Sequence, residues 1–222
     1  TDLLRILRRC GARADDSVGV SVEERVALDT SGTAVARLRM PQTFTAWGRL
    51  YGLLHEVFPA ARYHQGMALA GVEQDAHGIT AHFANGASRH ADLLIAADGI
   101  RSTVRALLLP QAVPRYAGYV GWRGLVNESS LSTATRNALF ERFAFCITPD
   151  EQMLGYPVAG PNNDLRPGHR RYNLVWYRPA DRDSTLQRLL TDDSGALHAI
   201  SIPPPAVSRG AVAEMREAAE SV

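Results

Sequence analysis

The chain has few of the features that mark large classes of proteins. Its 222 residues include two cysteines, Cys10 and Cys146, with no CxxC pair and no metal-site spacing. This excludes a disulfide framework and a cysteine-based metal site, and it fits a reducing, cytoplasmic setting. No apolar run approaches the length of a membrane span, and no signal peptide opens the chain. We therefore expect no membrane partner.

An excess of charge of one sign is also missing. The 24 basic residues, all of them arginine, face 23 acidic residues, which gives a formal net charge of +1. Such a balance argues against a nucleic-acid partner and against binding to an acidic membrane. Because arginine supplies every cation, its abundance alone is weak evidence of function. The hydrophobic content of 45% is ordinary for a globular chain of one large domain or two small ones.

Familiar catalytic motifs are absent. The chain contains no GxGxxG, P-loop, GxSxG, HExxH or kinase catalytic loop. Its carboxylates are scattered and Cys146 lies in an apolar run, so the residues indicate neither an acid–base pair nor a cysteine nucleophile. The first residue is Thr1 and not Met, inside an amphipathic segment, so we expect the natural chain to begin earlier.

The most informative stretch is Ala91–Arg105, with the sequence ADLLIAADGIRSTVR. Its apolar run Asp92–Ala97 predicts a buried strand that ends in a tight Asp-Gly turn. Ser102 is a good N-cap for a short helix predicted over Thr103–Leu109. The stretch therefore predicts a strand, a turn and a helix start.

The turn itself is a candidate ligand site. In open α/β sheets, ligands bind beyond the carboxyl ends of the strands, where such turns lie. Gly99 allows a close approach, and Arg101 adds a positive charge beside the free N–H groups of the helix start. Similar turns occur in α/β proteins without a ligand, so spacing alone does not decide between the two roles.

The clearest helix is predicted over residues 46–58, where apolar residues recur at spacings of three and four and Pro59 follows. Arg49 lies in its first turn, off the apolar face. A cation at that end opposes the helix dipole, so Arg49 is either solvated or paired with an anionic ligand.

The other segments are rich in strand patterns. Segments 18–28 and 33–40 predict a β-hairpin that Pro41 closes, and 67–74, 79–83 and 87–90 predict a β-meander with the turn Asn85-Gly86. Further strands are predicted at 116–126, 143–147, 152–158 and 172–178, and further helices at 131–142, 184–190 and from Ser208 onwards.

Several of these stretches together resemble one known family. Leu93–Arg105 resembles the Asp-Gly fingerprint of the FAD-dependent aromatic hydroxylases, the p-hydroxybenzoate-hydroxylase-like group A flavoprotein monooxygenases. Thr45–Leu54 resembles the arginine-bearing helix of that family, and Tyr116–Val126 resembles its first substrate-domain strand. Tyr156–Val158 and Arg171–Arg178 are most similar to the subgroup that includes 2,6-dihydroxypyridine hydroxylase. The family's GxGxxG and its later Gly-Asp motif have no counterpart here, so the chain resembles the middle of such an enzyme.

The resemblance implies an α/β fold that joins a fragment of an FAD/NAD(P)-binding Rossmann-like domain to a β-sheet substrate domain. Residues 1–17 and 42–110 would belong to the FAD-binding domain. Residues 18–41 and 111–206 would form the substrate-binding sheet, and 207–222 would start a connecting helix. A homodimer is compatible with this family.

The resemblance also implies an oxidoreductase. In such a monooxygenase, NAD(P)H reduces FAD, and O₂ then supplies the oxygen that hydroxylates a small aromatic or N-heteroaromatic ring. The implied cofactor-binding residues are Arg49, Asp98, Gly99, Arg101 and Ser102. The implied substrate-lining residues, for which sheet packing is an equally open role, are Trp122, Tyr156 and Trp176. No catalytic base and no metal site are implied.

Two other functions stay open. One is a flavoenzyme of the same fold with different chemistry, such as a halogenase or a prenyl reductase. The other is a non-catalytic, truncated chain that keeps the middle of the fold and acts by binding. The Tyr-Pro-Val and Trp-Tyr-Arg segments favour the hydroxylase, whereas the missing FAD motifs favour the non-catalytic chain.

Overall fold

The computed structural model describes residues 2–220, which fall into two compact units. The first unit takes the chain up to Val57 and from Ala117 onwards, and the second is Phe58–Tyr116. The strands are β1 (Val20–Leu28), β2 (Ala34–Phe44), β3 (Leu69–Asp75), β4 (Gly78–Phe83), β5 (Ser88–Ala91), β6 (Tyr119–Asn127), β7 (Arg142–Ile147), β8 (Gln152–Val158) and β9 (Arg171–Pro179). The helices are α1 (Asp2–Arg9), α2 (Trp47–Val57), α3 (Thr103–Leu108), α4 (Thr133–Leu139), α5 (Thr185–Leu189) and α6 (Arg209–Ala219). The predicted mixture of helices and sheets is confirmed.

The first unit is built on a six-stranded sheet with the order β2-β1-β7-β8-β9-β6. Neighbouring strands are antiparallel except for β1 and β7, which run parallel with Arg25 beside Phe143. The predicted hairpin is confirmed, because the Asp29 carboxylate accepts two backbone N–H groups of the turn, each at 2.9 Å. The predicted end of the hairpin at Pro41 is wrong, because β2 continues to Phe44. A register shift between β1 and β2 lets the strand pairing continue past Pro41, which has no N–H group to donate.

Helices cover one face of this sheet, which we call the helix face. Phe140, at the end of α4, contacts Tyr172 with 5.4 Å between the ring centres. Residues of α5 and α6 line a cavity of about 150 Å³ together with Trp122 and Arg178. The predicted helix over 131–142 is shortened to α4 because β7 begins at Arg142.

A buried ion pair on the helix face joins the end of β6 to the start of β9. Glu128 is 3% exposed and accepts from Arg170 Nε at 3.0 Å and from its Nη2 at 2.9 Å. Burial alone would raise the pKa of Glu128, but the bonds from Arg170 outweigh it and hold that pKa below its usual range. The two-point, charge-assisted contact fixes the crossing of these segments.

A second contact on the helix face depends on a glycine. A Cβ atom at Gly155 would lie 2.4 Å from a ring carbon of Tyr172, so the ring occupies the space of the missing side chain. Tyr172 is 5% exposed, and its hydroxyl has no hydrogen-bond partner among residues 2–220. Burial raises the pKa of the Tyr172 hydroxyl well above its usual range, so the ring stays neutral.

A small apolar cluster forms where α1 meets α2. Leu7 and Leu53 are 2% and 3% exposed and pack with Ala12, Ala14 and Val18. The predicted helix over 46–58 is confirmed as α2. In the part of the chain that the structure describes, no helix is both long and apolar enough to cross a membrane.

The second unit is the three-stranded antiparallel sheet β3-β4-β5, with α3 packed against β3. The predicted meander and its Asn85-Gly86 turn are confirmed. The predicted strand Asp92–Ala97 is wrong: the segment forms no strand, and Leu93 and Ile95 are 73% and 78% exposed. A strand needs a neighbour for its N–H and C=O groups, and no other strand in residues 2–220 pairs with this segment.

Candidate functional site

The Asp-Gly turn of the second unit, residues 98–102, is held by the start of α3. Asp98 Oδ2 accepts the backbone N–H groups of Thr103 at 2.8 Å and Val104 at 3.3 Å. The Ser102 hydroxyl accepts the N–H of Arg105 at 3.0 Å, which confirms Ser102 as the N-cap. A hydrogen bond from the Ser102 side chain, helped by the backbone bonds, holds the pKa of Asp98 below its usual range. The carboxylate of Asp98 is therefore engaged within the protein.

The backbone of the same turn is open. Gly99 has a φ of +74° and nothing within 4 Å of the position that a Cβ would take. Arg101 is exposed beside it. The guanidinium of Arg105, which the sequence pattern did not single out, donates to the carbonyls of Gly99 and Ile100 and so stabilises the turn. The turn offers a ligand its backbone and Arg101, while the start of α3 already engages Oδ2 of Asp98.

Arg49 lies in the first turn of α2, in the other unit. Its Nε is shielded from water and has no hydrogen-bond partner within residues 2–220. Hydrogen bonds from Ser17 and, to a smaller extent, the charge of Arg49 lower the pKa of Asp15, but the two side chains form no ion pair. A buried donor without a partner costs about 1–3 kcal/mol. This orphaned N–H fits an anionic or carbonyl oxygen of a bound group.

The three predicted substrate-lining residues lie on the six-stranded sheet but not on one face of it. Trp122 pairs directly with Trp176 across β6 and β9. Trp176 also pairs with Met153 of β8, three residues before Tyr156. Because side chains alternate along a strand, Tyr156 points to the opposite face. The sheet therefore brings the two tryptophans together on the helix face and separates them from Tyr156.

Tyr156 belongs to a group of rings on that opposite face, which we call the aromatic cluster and define as Phe44, Phe143, Phe145 and Tyr156. Its ring stacks on Phe44 with 4.1 Å between centres and meets Phe143 edge-on at 5.5 Å. Phe143 packs against Phe145 at 4.2 Å. The alternation of Phe143 and Phe145 in the sequence indicates a shared face, but nothing local predicts that Phe44 joins them.

Asn173 of β9 lies next to this cluster. It is directly opposite Tyr156 of β8 on one side and Leu125 of β6 on the other. Its Nδ2 is shielded from water and finds no hydrogen-bond partner in the described chain. Leaving such an amide unpaired costs about 1–3 kcal/mol. In the sequence, the only sign of this site is that Asn173 alternates with Val175 and Tyr177 and so shares one face of a strand with them.

The chemistry that these side chains offer is binding and orientation. No group of three or more His, Cys, Asp or Glu residues within 2–220 is arranged to hold a metal ion. Cys10 and Cys146 are both free thiols. The first unit provides an unpaired arginine donor and a ring cluster beside an unpaired amide, and the second unit provides an open glycine turn.

Known proteins are similar to this chain in sequence and in fold. The profile of the family described as FAD binding domain-like matches residues 116–222. The chain is 32% identical over 181 residues to 2,6-dihydroxypyridine 3-monooxygenase of Paenarthrobacter nicotinovorans. The matched region is 81% of this chain and 45% of that protein. It is also 32% identical over 171 residues to 3-amino-4-hydroxybenzoate 2-monooxygenase of Streptomyces cremeus. This matched region is 71% of this chain and 42% of that protein.

A solved structure matches nearly the whole chain. The 2,6-dihydroxypyridine-3-hydroxylase from Arthrobacter nicotinovorans is 28% identical with a TM-score of 0.91, over 99% of this chain and 55% of that one. The chain spans about half the length of the curated relatives it matches. Its fold is that of the corresponding part of this hydroxylase.

Proposed function

This chain is homologous to the FAD-dependent aromatic hydroxylases over about half of their length, and on that premise we propose that it is part of a FAD-dependent monooxygenase. The reaction is the hydroxylation of a small aromatic or N-heteroaromatic ring with NAD(P)H and O₂. The names of the relatives, which act on dihydroxypyridine and aminohydroxybenzoate, support this class of substrate.

We assign residues 1–17 and 42–110 to the FAD-binding part and residues 18–41 and 111–206 to the substrate-binding sheet, which the end of β2 extends past residue 41 as far as Phe44. The second assignment is supported by the pairing of β1 and β2 into the same sheet as β6 to β9. Residues 207–222 begin a connecting helix, of which 221 and 222 lie outside the described residues. The helix start is supported by Ser208, whose hydroxyl accepts the N–H of Ala211 at 3.2 Å.

The observation that carries the FAD assignment is the orphaned Nε of Arg49, which fits a phosphate or carbonyl oxygen of the cofactor. In the second unit, considered by itself, Gly99 and Arg101 offer an open backbone and a positive charge, which also suit an anionic group such as a phosphate. Asp98 and Ser102 act by holding the turn in shape. When bound, FAD supplies the redox chemistry between NAD(P)H and O₂.

On the substrate side we propose that Tyr156 lines the ring-binding surface through the aromatic cluster. Its stacking partner Phe44 and the edge of Phe143 hold the Tyr156 ring in a defined plane. A planar ring gains offset-stacked or edge-on contacts on such a surface. Trp122 and Trp176 contribute from the helix face by packing the sheet that carries it.

We also propose a cytoplasmic location and a homodimer. The two free thiols, Cys10 and Cys146, support a reducing compartment. Apolar side chains that are more than half exposed, such as Val35 and Ile147, support contact with a second copy.

Flavin fluorescence tests the proposal on the chain as it stands. We expect the chain to quench added FAD and Arg49→Ala to weaken FAD binding by roughly tenfold or more, since a charged hydrogen bond is lost. Arg216→Ala removes an exposed arginine from α6 and serves as the matched control, with unchanged binding expected. Unquenched FAD at high protein concentration would contradict FAD binding by this chain.

Turnover separates the hydroxylase from a binding role. With FAD and NAD(P)H present, we expect 2,6-dihydroxypyridine or 3-amino-4-hydroxybenzoate to gain one oxygen atom, detected by mass spectrometry. A chain that takes up FAD but hydroxylates neither ring would favour the non-catalytic alternative.

A further inference from the structure

A row of side chains crosses the sheet on the face of the aromatic cluster. Leu125, Asn173 and Tyr156 are directly paired across β6, β9 and β8. The Phe143 ring follows at 5.5 Å from Tyr156, and Arg25 is paired with Phe143 across β1 and β7. With strands spaced about 4.8 Å apart, these five residues form a continuous row about 20 Å long.

Asn173 differs from the other polar members of this row because its partner is missing. Arg25 already donates to Gln42 Oε1 at 2.8 Å and lies 5.4 Å from the centre of the Phe143 ring. The Nδ2 of Asn173 has no partner in the described residues. A leucine would fill the same position in the strand without an unpaired amide. The amide therefore fits a partner that residues 2–220 do not contain.

The row is open near this amide. Leu125, on one side of Asn173, is 54% exposed, and Asn173 and Tyr156 are only half-buried. The oxygen and the nitrogen of the carboxamide lie side by side beyond Cγ, and rotation about the Cβ–Cγ bond can turn both of them toward a ligand above the sheet. A flat ring that lies on the Tyr156 side of the row comes within reach of the amide.

The chemistry of a carboxamide selects the ligand. It presents a donor and an acceptor side by side, and its complement is a ring edge with N–H and C=O on neighbouring atoms. The pyridone form of a hydroxypyridine has this edge, whereas a phenol has one hydroxyl. A benzoate carboxylate has only acceptors and is better matched by arginine.

We propose that Asn173 is a specificity-determining residue that orients the substrate and selects N-heteroaromatic rings with this lactam edge. This rests on the proposed function, because it names the substrate class of the same site. Asn173 takes no part in bond making, and its effect is on which ring binds and in which orientation.

Calorimetric titration with 2-pyridone and N-methyl-2-pyridone tests the inference, each with and without saturating FAD. The methylated ring keeps the C=O group but lacks the N–H donor. We expect wild type to prefer 2-pyridone by roughly tenfold, the effect of one neutral hydrogen bond. Asn173→Leu should lose this preference. Asn137→Leu changes an exposed asparagine of α4 and should keep it.

Asn173→Asp covers the case in which the leucine variant does not fold. It keeps the shape and the acceptor but loses the donor, so both lactams should bind roughly tenfold more weakly. A preference that survives in Asn173→Leu, or a wild-type chain without any preference, overturns the inference. A chain that ignores FAD but shows the Asn173-dependent preference contradicts the proposed function alone.

Discussion

Similar apolar segments are buried in the first unit and exposed in the second. In β9 of the first unit, Val175 and Trp176 are 2% and 3% exposed. In the second unit, Leu93 and Ile95 of an equally apolar run are 73% and 78% exposed. The strand β9 has β8 on one side and β6 on the other, whereas residues 92–97 pair with no strand of the described chain. An apolar run thus becomes a buried strand only where neighbouring strands take up its backbone groups.

The largest loss of stability is expected when the buried ion pair of the first unit is broken. Glu128→Gln leaves the guanidinium of Arg170 buried without its counter-charge, so the free energy of unfolding should fall by about 3–5 kcal/mol in urea denaturation. Asp193→Asn breaks an exposed pair with Arg209 and should have no measurable effect. Equal stability of both variants would show that the first unit is not held together at this contact.

A matched pair of truncations tests the difference in burial directly. Val26 of β1 is 2% exposed, and Val26→Ala should cost about 2 kcal/mol through lost apolar burial and a small cavity. Ile95→Ala, at a position 78% exposed, should stay within about 0.5 kcal/mol of wild type in the same urea denaturation. A similar loss at both positions would mean that another surface covers the 92–97 segment in solution.

The smallest effect is expected at the turn of the second unit. The pKa of Asp98 is lowered, so its stabilisation of α3 is present above the ordinary aspartate pKa of about 3.9 and is lost as the pH falls through the lower folded pKa. Asp98→Asn should abolish this acid-dependent step and speed hydrogen exchange at the N–H groups of Thr103 and Val104. Asp92→Asn, an exposed change in the preceding segment, should leave the acid-dependent step and both exchange rates as in wild type.

Local sequence patterns predicted many elements correctly, because their causes are local. The turn at Asp29, the helix α2 and the Ser102 cap follow from residues within a few positions of each other. The parallel pairing of β1 with β7, which places Glu24 Oε1 2.6 Å from Arg142 Nε, has no local signature. A shift of register by one residue turns a side chain to the other face. Local patterns therefore could not tell that Tyr156 faces away from the tryptophans.

The sequence also predicted part of the candidate site, but not all of it. The resemblance pointed to Arg49, and the fold leaves its Nε without a partner in residues 2–220. It also pointed to Asp98, whose carboxylate is engaged by the start of α3. Asn173 escaped notice because an unpaired amide is not visible in a strand sequence. It depends on Leu125 and Tyr156, which two other strands place beside it.

Because Gly155 lies against the ring of Tyr172, the residues at these two positions can change in size only together. Any side chain at 155 would meet the ring of Tyr172, since even a Cβ atom would lie 2.4 Å from it. A small residue at 172 would in turn leave a hole above the glycine. The size of one residue therefore sets the size that the other can have. In relatives that keep this pairing of β8 with β9, a larger residue at one position calls for a smaller one at the other.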